Sequence, residues 1–364
     1  MAVTEETGTL VPEQSTINWF KFHGTGSEYF GIWIVNILLT IVTLGIYSAW
    51  AKVRRNRYFY GNLELMGSRF DYHARGGQIL KGRLIVFGAL IIFNILTNIF
   101  PPIGFVTSLI ILIALPFLVA RGLRFSTHVT SYRNVRFNFV GTAGGAFKAV
   151  ILGPILTIVT IGLLAPVSTR WFSRYFFNNL HYGGRPFASE PPLRALYKAL
   201  ILPFIIFVIG AAIYCVIVFY LVQTSEYVDT GMISDSEEYD ALYILVLSTT
   251  VFGAFIIFSL TSLVYRAMVR IIVLSSTVFD EKHPFSSNMS AVRYVWVVIS
   301  NLIVSIATVG LARPWAACRY MRLISDTTSI AIMGDVGTIL NELDASGSVA
   351  SAEFMDIEGI DFGF

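Results

Sequence analysis

A segment that occurs three times constrains this chain more than any other feature. Residues 39–63 (LTIVTLGIYSAWAKVRRNRYFYGNL) and 156–180 (LTIVTIGLLAPVSTRWFSRYFFNNL) align without a gap at an offset of 117 residues. A weaker third copy covers residues 301–327, at an offset of 265 residues. Each copy joins an apolar stretch to a Thr-x-Gly sequence and then to a segment with arginines and aromatic residues. Repeats of this kind in an apolar chain are typical of integral membrane proteins.

The composition also indicates a membrane protein. The chain is 55% hydrophobic and only 13% charged, and its mean hydropathy is +0.68, whereas about 25% of residues are charged in ordinary soluble domains. A helix needs roughly 20 apolar residues to cross the hydrocarbon core of a bilayer. Four runs without Asp, Glu, Lys or Arg are predicted to span the membrane: residues 84–100, 103–120, 199–222 and 241–264.

The distribution of charge predicts the topology. All 26 Lys and Arg residues lie outside the four apolar runs, and they flank each repeat on both sides. The segment 223–240 has no Lys or Arg and contains acidic residues instead. Because cytoplasmic loops are enriched in Lys and Arg, we expect the basic segments and both termini to lie in the cytoplasm. The acidic segment is expected on the opposite side.

Basic residues on both flanks also indicate that a repeat does not cross the membrane once. We expect each repeat to form a re-entrant helical hairpin that enters and leaves on the cytoplasmic side. Glycine permits the backbone conformation of a tight turn, and threonine can cap the start of a helix. The alternative is a protein with seven spans and a weaker charge bias. The predicted turns contain Thr43 and Gly45, Thr160 and Gly162, and Thr308 and Gly310.

Strand-like sequences flank the hairpins and predict small cytoplasmic β elements. Residues 19–25 (WFKFHGT) alternate apolar and polar side chains, and residues 62–72 (NLELMGSRFDY) form a similar piece with a glycine turn. The predicted fold is therefore mainly α: a polytopic helical membrane protein with internal repeats, re-entrant hairpins and small β elements. The predicted parts are a polar tail (1–18), a membrane domain (19–333) with repeat units at about 19–73, 136–188 and 285–333, and an acidic, disordered tail (334–364).

One stretch resembles a known family. Residues 47–70 (YSAWAKVRRNRYFYGNLELMGSRF), with Thr43, Leu44 and Gly45 before them, look like the YjgN-type family of bacterial inner-membrane proteins. The resemblance covers the chain from about residue 20 to residue 334. It implies a multi-pass protein of the bacterial inner membrane. It implies no substrate, cofactor or catalytic residue, because the family is a domain of unknown function.

Arginines after the hairpins are candidate ligands for an anionic lipid or substrate group, since the guanidinium group binds phosphate through two parallel hydrogen bonds. The alternative is that they only anchor the helices at the membrane interface. The threonine–glycine turns, together with two asparagines at matching positions, are candidates for lining a solute path; the alternative is a role in helix packing. The arginines are Arg54, Arg57, Arg174, Arg319 and Arg322, and the asparagines are Asn36 and Asn301.

Enzymatic readings have little support in the sequence. The five histidines are scattered and show no metal-ligand spacing, and the chain has no phosphate-binding loop or nucleophile elbow. We therefore expect no enzyme, cofactor, metal site or nucleic-acid partner. The favoured function is a transporter or channel for a small or amphipathic solute, and the alternative is a membrane scaffold that organises lipids. Membrane lipids are expected partners, and the acidic tail is a candidate site for a protein partner.

Overall fold

The computed structural model describes residues 15–229 and 236–334. The predicted tails at residues 1–14 and 335–364, and the centre of the acidic segment, lie outside the described residues. The helices in chain order are α1 (Gly26–Val42), α2 (Ser48–Gly61), α3 (Gly76–Ile99), α4 (Ile103–His128), α5 (Ala143–Ala146), a π-helical segment (Phe147–Leu152), α6 (Gly153–Val159), α7 (Ala165–Phe177), α8 (Leu193–Asp229), α9 (Ser236–Ser275), α10 (Ala291–Ala307) and α11 (Arg313–Asp326).

Short strands between the helices form one antiparallel sheet of 11 strands, in the order β1-β11-β10-β9-β8-β7-β6-β5-β4-β3-β2. The strands are β1 (Ser15–Trp19), β2 (Lys21–Phe22), β3 (Leu63–Leu65), β4 (Ser68–Tyr72), β5 (Thr130–Tyr132), β6 (Val135–Phe139), β7 (Leu180–Tyr182), β8 (Arg185–Ser189), β9 (Thr277–Phe279), β10 (His283–Ser287) and β11 (Thr328–Met333).

The sheet forms a nearly closed barrel. Its first and last strands, β1 and β2, are separated in the chain only by Phe20, whose backbone N–H donates to the carbonyl of Thr328 (3.1 Å). The segment 15–22 therefore pairs with β11 through its first half and with β3 through its second half. Closure leaves few unpaired strand edges, which would otherwise bind other chains.

The prediction of a mainly α fold with only small β elements is wrong. β6 pairs with β7 within one predicted unit, but β4 pairs with β5 across α3 and α4, and β8 pairs with β9 across α8 and α9. These contacts join the predicted small sheets into one barrel. The sequence alternation predicts which face of a strand is buried, but it does not predict the partner strand. The pairing of Ser15 with Met333 joins segments from opposite ends of the described chain.

All five helical pairs leave the same end of the barrel and return to it. Pairs α3–α4 and α8–α9 alternate with three helical hairpins: α1–α2, α5–α7 and α10–α11. Contacts of α2 with α3, α4 with α5, α7 with α8, α9 with α10, and α11 with α1 close the helices into a ring. The opposite end of the barrel has two-residue turns with positive φ at both residues, the geometry that suits tight β-hairpins; these turns are residues 66–67, 133–134, 183–184 and 280–281.

Helices α3, α4, α8 and α9 are long and apolar enough to cross a membrane, and they coincide with the four predicted spans. At most 17% of each apolar window is buried within the protein, so most of these apolar side chains face outward, as they do in contact with lipid. Ser15 pairs with Met333, so both ends of the described chain lie in the barrel. The orientation of the barrel relative to the cytoplasm stays a prediction.

The helical hairpins have the same internal geometry in all three copies. Shifting the bounds of α1 by 117 residues gives 143–159, the bounds of α5 to α6, and shifting them by 265 residues gives 291–307, the bounds of α10. In the first turn, the Thr43 hydroxyl donates to the carbonyl of Leu39 (2.7 Å) and accepts the N–H of Tyr47 (2.9 Å). Thr160 and Thr308 repeat both bonds.

The turns also depend on a left-handed backbone. Gly45, Gly162 and Gly310 have φ of 91°, 87° and 87°, a region that glycine adopts without steric cost. The residue before each glycine is apolar and lies at the outer tip of the hairpin. We call Leu44, Ile161 and Val309 the hairpin tips; their side chains are 94%, 77% and 93% exposed. Whether the tips enter a membrane stays a prediction.

Candidate functional site

The barrel encloses an apolar cavity of about 380 Å³. Its wall is built from inward-facing residues that are direct neighbours across the strands, such as Phe70 beside Tyr132 and Phe187 beside Phe279. The rings of these two pairs lie 4.7 and 4.8 Å apart. Binding pockets for small molecules typically have volumes of about 300–1,000 Å³ and predominantly apolar walls. We call this space the barrel cavity.

Two tyrosines in the wall have their hydroxyls engaged by the backbone. Tyr132 donates to the carbonyl of Leu65 (2.5 Å), and Tyr182 donates to the carbonyl of Tyr132 (2.9 Å). These hydroxyls are therefore not free to bind a polar solute. Apolar rings and aliphatic side chains form the wall of the barrel cavity, and its polar lining residues Ser126, Thr127 and Thr130 lie at and just after the end of α4.

The helix-side end of the barrel cavity is formed by the barrel-proximal ends of three helices. Tyr60 belongs to α2, Ser126 and Thr127 belong to α4, and Phe176 and Phe177 belong to α7. These residues lie between the strands and the candidate spans. The barrel cavity is thus bounded on this side by the ends of two hairpin helices and of one candidate span.

A second space adjoins the barrel cavity at Ser126. This lateral groove, of about 570 Å³, runs between α2, α3 and α4 and is lined on the span side by Val86, Phe87 and Leu90. Gly82 is also part of its wall; with no side chain it leaves room between the helices. The lateral groove, whose wall also includes Lys52, Asn56 and Arg83, therefore extends from a candidate span to Ser126 beside the barrel cavity.

The predicted path residues do not line the barrel cavity. The threonines and glycines of the three turns lie at the ends of the hairpins farthest from the barrel, and the three threonine hydroxyls bond to the backbone of their own hairpins. Asn301 is bonded inside the third hairpin, whereas the Oδ1 atom of Asn36 is buried without a partner. A role of the turns in a solute path stays a prediction.

The predicted anion-binding arginines are divided among the three hairpins and do not form one site. Arg54 donates to the hydroxyl of Tyr47 (3.1 Å), and Arg174 pairs with Glu190 (2.9 Å). Arg319 donates to Ser300 and Asn301 and lies over the ring of Trp315, and Arg322 donates to the carbonyl of Gly24. Arg57 is exposed on α2. Several of these arginines thus have contacts that stabilise the hairpins.

The histidines have separate environments. His23 pairs with Glu64 (2.8 Å), and Nε2 of His73 lies 2.7 Å from the hydroxyl of Ser131. His283 is almost fully buried, and its Nδ1 accepts the N–H of Met333 (3.1 Å). Among residues 15–229 and 236–334, no group of three or more His, Cys, Asp or Glu side chains is arranged to hold a metal ion.

The buried state of His283 predicts a pH dependence of stability. Burial lowers its pKa, because removal from water disfavours the imidazolium; Asp280 opposes this shift, whereas Arg185 and Lys282 add to it. The unfolded state therefore binds a proton more readily than the folded state. The stability due to neutral His283 is complete above the unfolded pKa of about 6.5 and is lost as the pH falls through the lower folded pKa.

We expect the thermal midpoint of the wild type to decrease from pH 7.5 to pH 5.5 more than that of His283→Gln. Glutamine retains an acceptor for the N–H of Met333 but does not titrate. The measurement is thermal unfolding in detergent at both pH values. Equal decreases for the two proteins would show that His283 does not contribute to acid sensitivity.

None of the residues that line the barrel cavity was predicted from the sequence to belong to a functional site. The strand-like sequence of residues 62–72 includes Phe70, but its alternation predicts only a strand. Aromatic residues at every second position of a strand were the available signal. Nothing local indicates that these rings face one another across a barrel, because that depends on the pairing of distant strands.

Comparisons with known proteins agree with the membrane-protein features. Inner membrane protein YjgN of Escherichia coli O157:H7 is 41% identical over 152 residues, which cover 42% of this chain and 38% of that protein. YjgN of Escherichia coli K12 is 40% identical over the same length. YjgN of Salmonella typhimurium LT2 is 24% identical over 358 residues, 87% of this chain and 89% of that protein. No solved structure matches the chain.

The matches to both Escherichia coli proteins thus cover less than half of their length, whereas the match to the Salmonella protein is nearly complete. The resemblance noted at residues 47–70 is confirmed, and all three relatives are named as inner membrane proteins. Residues 18–357 match the family described as bacterial protein of unknown function (DUF898). The chain belongs to this family.

Proposed function

We propose that this inner-membrane protein binds an amphipathic solute and transports it between the lipid leaflet and the barrel. The apolar part of the solute would occupy the barrel cavity. The observation that carries the proposal is the apolar cavity of about 380 Å³ that adjoins the lateral groove at Ser126. The proposal assigns no chemical reaction and no cofactor to the protein.

The character of the wall supports an amphipathic rather than a polar solute. Each methylene group that leaves water for an apolar site gains about 0.8 kcal/mol. A polar solute inside the barrel would lose its hydration with little compensation, because the hydroxyls of Tyr132 and Tyr182 are already bonded. At the helix-side end, Ser126 is exposed, and the hydroxyls of Thr127 and Thr130, which donate to backbone carbonyls, can still accept from a polar head. A solute with an apolar chain inside the barrel and a polar head at the helix-side end would match the apolar wall and the polar end of the cavity.

Photo-crosslinking tests the proposal directly. The full chain is placed in lipid nanodiscs that contain a phospholipid with a diazirine at the end of one acyl chain. We expect cross-links to β4 and β8, near Phe70 and Phe187, in addition to those on the candidate spans. Cross-links confined to α3, α4, α8, α9 and the hairpin tips would contradict the proposal, because the bilayer alone would explain them.

A variant that obstructs the junction of the lateral groove and the barrel cavity at Ser126 makes this test specific. Ser126 is exposed and is shared by the lateral groove and the barrel cavity, so Ser126→Trp should reduce barrel cross-links by about fivefold or more, roughly 1 kcal/mol of lost occupancy. Cross-links on α3 and α4 should not change and serve as an internal reference. Ser108→Trp, at an exposed position of the same helix, is the matched control.

A second function, the organisation of lipids, is favoured by the hairpin tips. Three exposed apolar tips project from the ring of helices at separate places. Amphipathic elements that insert apolar residues shallowly into one leaflet respond to lipid packing and curvature. If this function is the correct one, the purified protein should deform liposomes, and glutamate at all three tips should abolish the deformation while barrel cross-links remain unchanged.

A further inference from the structure

A separate cleft on the other side of α2 is rich in positive charge. It has a volume of about 700 Å³ and lies between α1, α2, α3 and α11. Its cations come from three helices: Lys52 and Arg55 from α2, Arg83 from α3 and Arg313 from α11. No Asp or Glu of the described chain lines it. We call this space the cationic cleft.

The cations of the cleft have no carboxylate partners among the described residues. Arg83 donates to the hydroxyl of Ser48 (2.5 Å), and Arg55 lies 5.9 Å from the centre of the Phe59 ring. Neither contact neutralises charge. Four like charges around one space repel each other, and a bound anion would remove this repulsion. The cleft is therefore suited to a group with negative charge.

Asn36 supplies an independent observation at the same place. Its side chain lines the cationic cleft, it is only 7% exposed, and its Oδ1 atom is buried without a hydrogen-bond partner. Buried polar atoms are almost always bonded in folded proteins, because leaving one unpaired costs free energy. The unpaired amide oxygen is consistent with a cleft that binds a ligand with a hydrogen-bond donor.

The third copy of the repeat shows how the same position is satisfied without a ligand. Asn301, which matches Asn36, accepts from Arg319 (3.1 Å) and donates to the carbonyl of Ala316 (2.9 Å). Arg54 matches Arg319, but it donates to the hydroxyl of Tyr47 instead. In the first copy, therefore, no arginine of the repeat bonds to the asparagine oxygen. The cationic cleft lies beside this oxygen instead.

The cleft lies at the level where the first candidate span begins its apolar run. Arg83 is the last basic residue before residues 84–100, and its partner Ser48 is the first residue of α2 after the hairpin tip. Lys52 and Arg83 line the lateral groove as well as the cleft. A headgroup in the cleft would thus have apolar groove residues, such as Phe87 and Leu90, beside it for an acyl chain.

We propose that the cationic cleft binds the headgroup of an anionic phospholipid in which the phosphate is attached to a hydroxyl-bearing group. Lysine and arginine bind the phosphate, and a hydroxyl, which both donates and accepts, pairs with the amide of Asn36. A headgroup with an ammonium would add a fifth positive charge. Phosphatidylglycerol has the required chemistry. This inference concerns a different space from the barrel cavity and does not depend on the transport proposal.

Native mass spectrometry of the full chain in detergent tests lipid selectivity. The titrants are phosphatidylglycerol and phosphatidylethanolamine with identical acyl chains, so that only the headgroup differs. We expect phosphatidylglycerol to bind at least about tenfold more tightly, because the ammonium of phosphatidylethanolamine would be repelled by the four cations of the cleft. Equal affinities would overturn the proposal.

Charge-matched variants locate the site. Lys52→Gln with Arg83→Gln should weaken phosphatidylglycerol binding at least about tenfold, since two contacts to the phosphate are lost. Lys21→Gln with Arg69→Gln removes the same charge from exposed barrel strands and should change binding less than about twofold. Equal effects of the two double variants would mean that lipid binds to diffuse surface charge and would overturn the proposal.

Asn36→Asp tests the amide with almost no change of shape. Its carboxylate would repel the phosphate, so we expect a loss of at least about tenfold in phosphatidylglycerol affinity; unchanged affinity would overturn the role of Asn36. Asn36→Asp also tests the location of the site if the variant with Lys52→Gln and Arg83→Gln does not fold. Glycerol 3-phosphate is the soluble competitor. Failure to displace the lipid supports a membrane ligand, and displacement at low concentration would overturn the lipid as source.

Discussion

Gly141→Val is expected to lower the free energy of unfolding by about 3 kcal/mol or more, as for severe overpacking of a core. A Cβ at Gly141 would lie 2.4 Å from Cε1 of Phe139 and 2.9 Å from the hydroxyl of Tyr175. Neither side chain has room to move. Phe139 is 1% exposed and packs edge-on against Tyr175, and the Tyr175 hydroxyl donates to the carbonyl of Thr142 (3.0 Å).

A neighbouring glycine provides the control for this prediction. A Cβ at Gly144 would meet no atom within 4 Å, and alanine favours a helix over glycine by up to about 1 kcal/mol. Gly144→Ala should therefore leave stability unchanged or raise it slightly. Thermal unfolding of both variants in detergent is the measurement. Similar losses for both would show that steric contact with Phe139 is not the cause.

The first repeat allows the same test at a second site. A Cβ at Gly24 would lie 2.5 Å from Cζ of Phe22 and 2.9 Å from the hydroxyl of Tyr58. Gly24 and Gly141 thus occupy equivalent positions between a strand aromatic and a helix tyrosine. We expect Gly24→Val to cost a similar amount, about 3 kcal/mol.

Placing glutamate at all three hairpin tips is expected to have an effect at least as large, and this effect depends on lipid. If the tips enter the leaflet, each carboxylate at Leu44, Ile161 and Val309 must leave water, at a cost of about 1–3 kcal/mol per site depending on depth. The triple variant should therefore lose much more thermal stability in lipid nanodiscs than in detergent. The tips make few contacts within the protein, so packing contributes little to the loss.

The matched control places three glutamates at exposed apolar residues near the barrel. Ile17, Val140 and Val292 are 38%, 49% and 79% exposed and lie at the barrel end of the molecule. Their substitution should have similar, small effects in nanodiscs and in detergent. A tip variant that behaves like this control would mean that the tips remain in water, and the predicted contact of the hairpins with the membrane would be wrong.

The hairpin turns show how far local sequence can be used. The recurrence of threonine and glycine at a spacing of two residues predicted turns at residues 43–45, 160–162 and 308–310, where the structure has them. The prediction succeeded because a turn depends on its own residues: glycine permits positive φ, and the threonine hydroxyl bonds within four residues. The same sequence does not reveal whether such a turn lies in a membrane.

The cationic cleft shows the opposite case. Their positions after the hairpins made Arg54, Arg57, Arg174, Arg319 and Arg322 the predicted anion ligands, but the cleft is formed by Lys52, Arg55, Arg83 and Arg313. The repeat pattern selects residues that recur, whereas a binding site often depends on positions at which the copies differ. Arg83 and Arg313 reach the cleft from α3 and α11, and only the packing of these helices against α1 and α2 brings them together.

The four apolar helices, the turns at the Thr-x-Gly sequences and the family follow from the sequence alone, because each depends on nearby residues or on similarity along the chain. The barrel, the barrel cavity and the cationic cleft depend on the tertiary structure. Strands of two to six residues gain too little from local contacts to select their partners, and the pairing of β1 with β11 requires segments more than 300 residues apart to meet. The apolar rings face one cavity only after this closure.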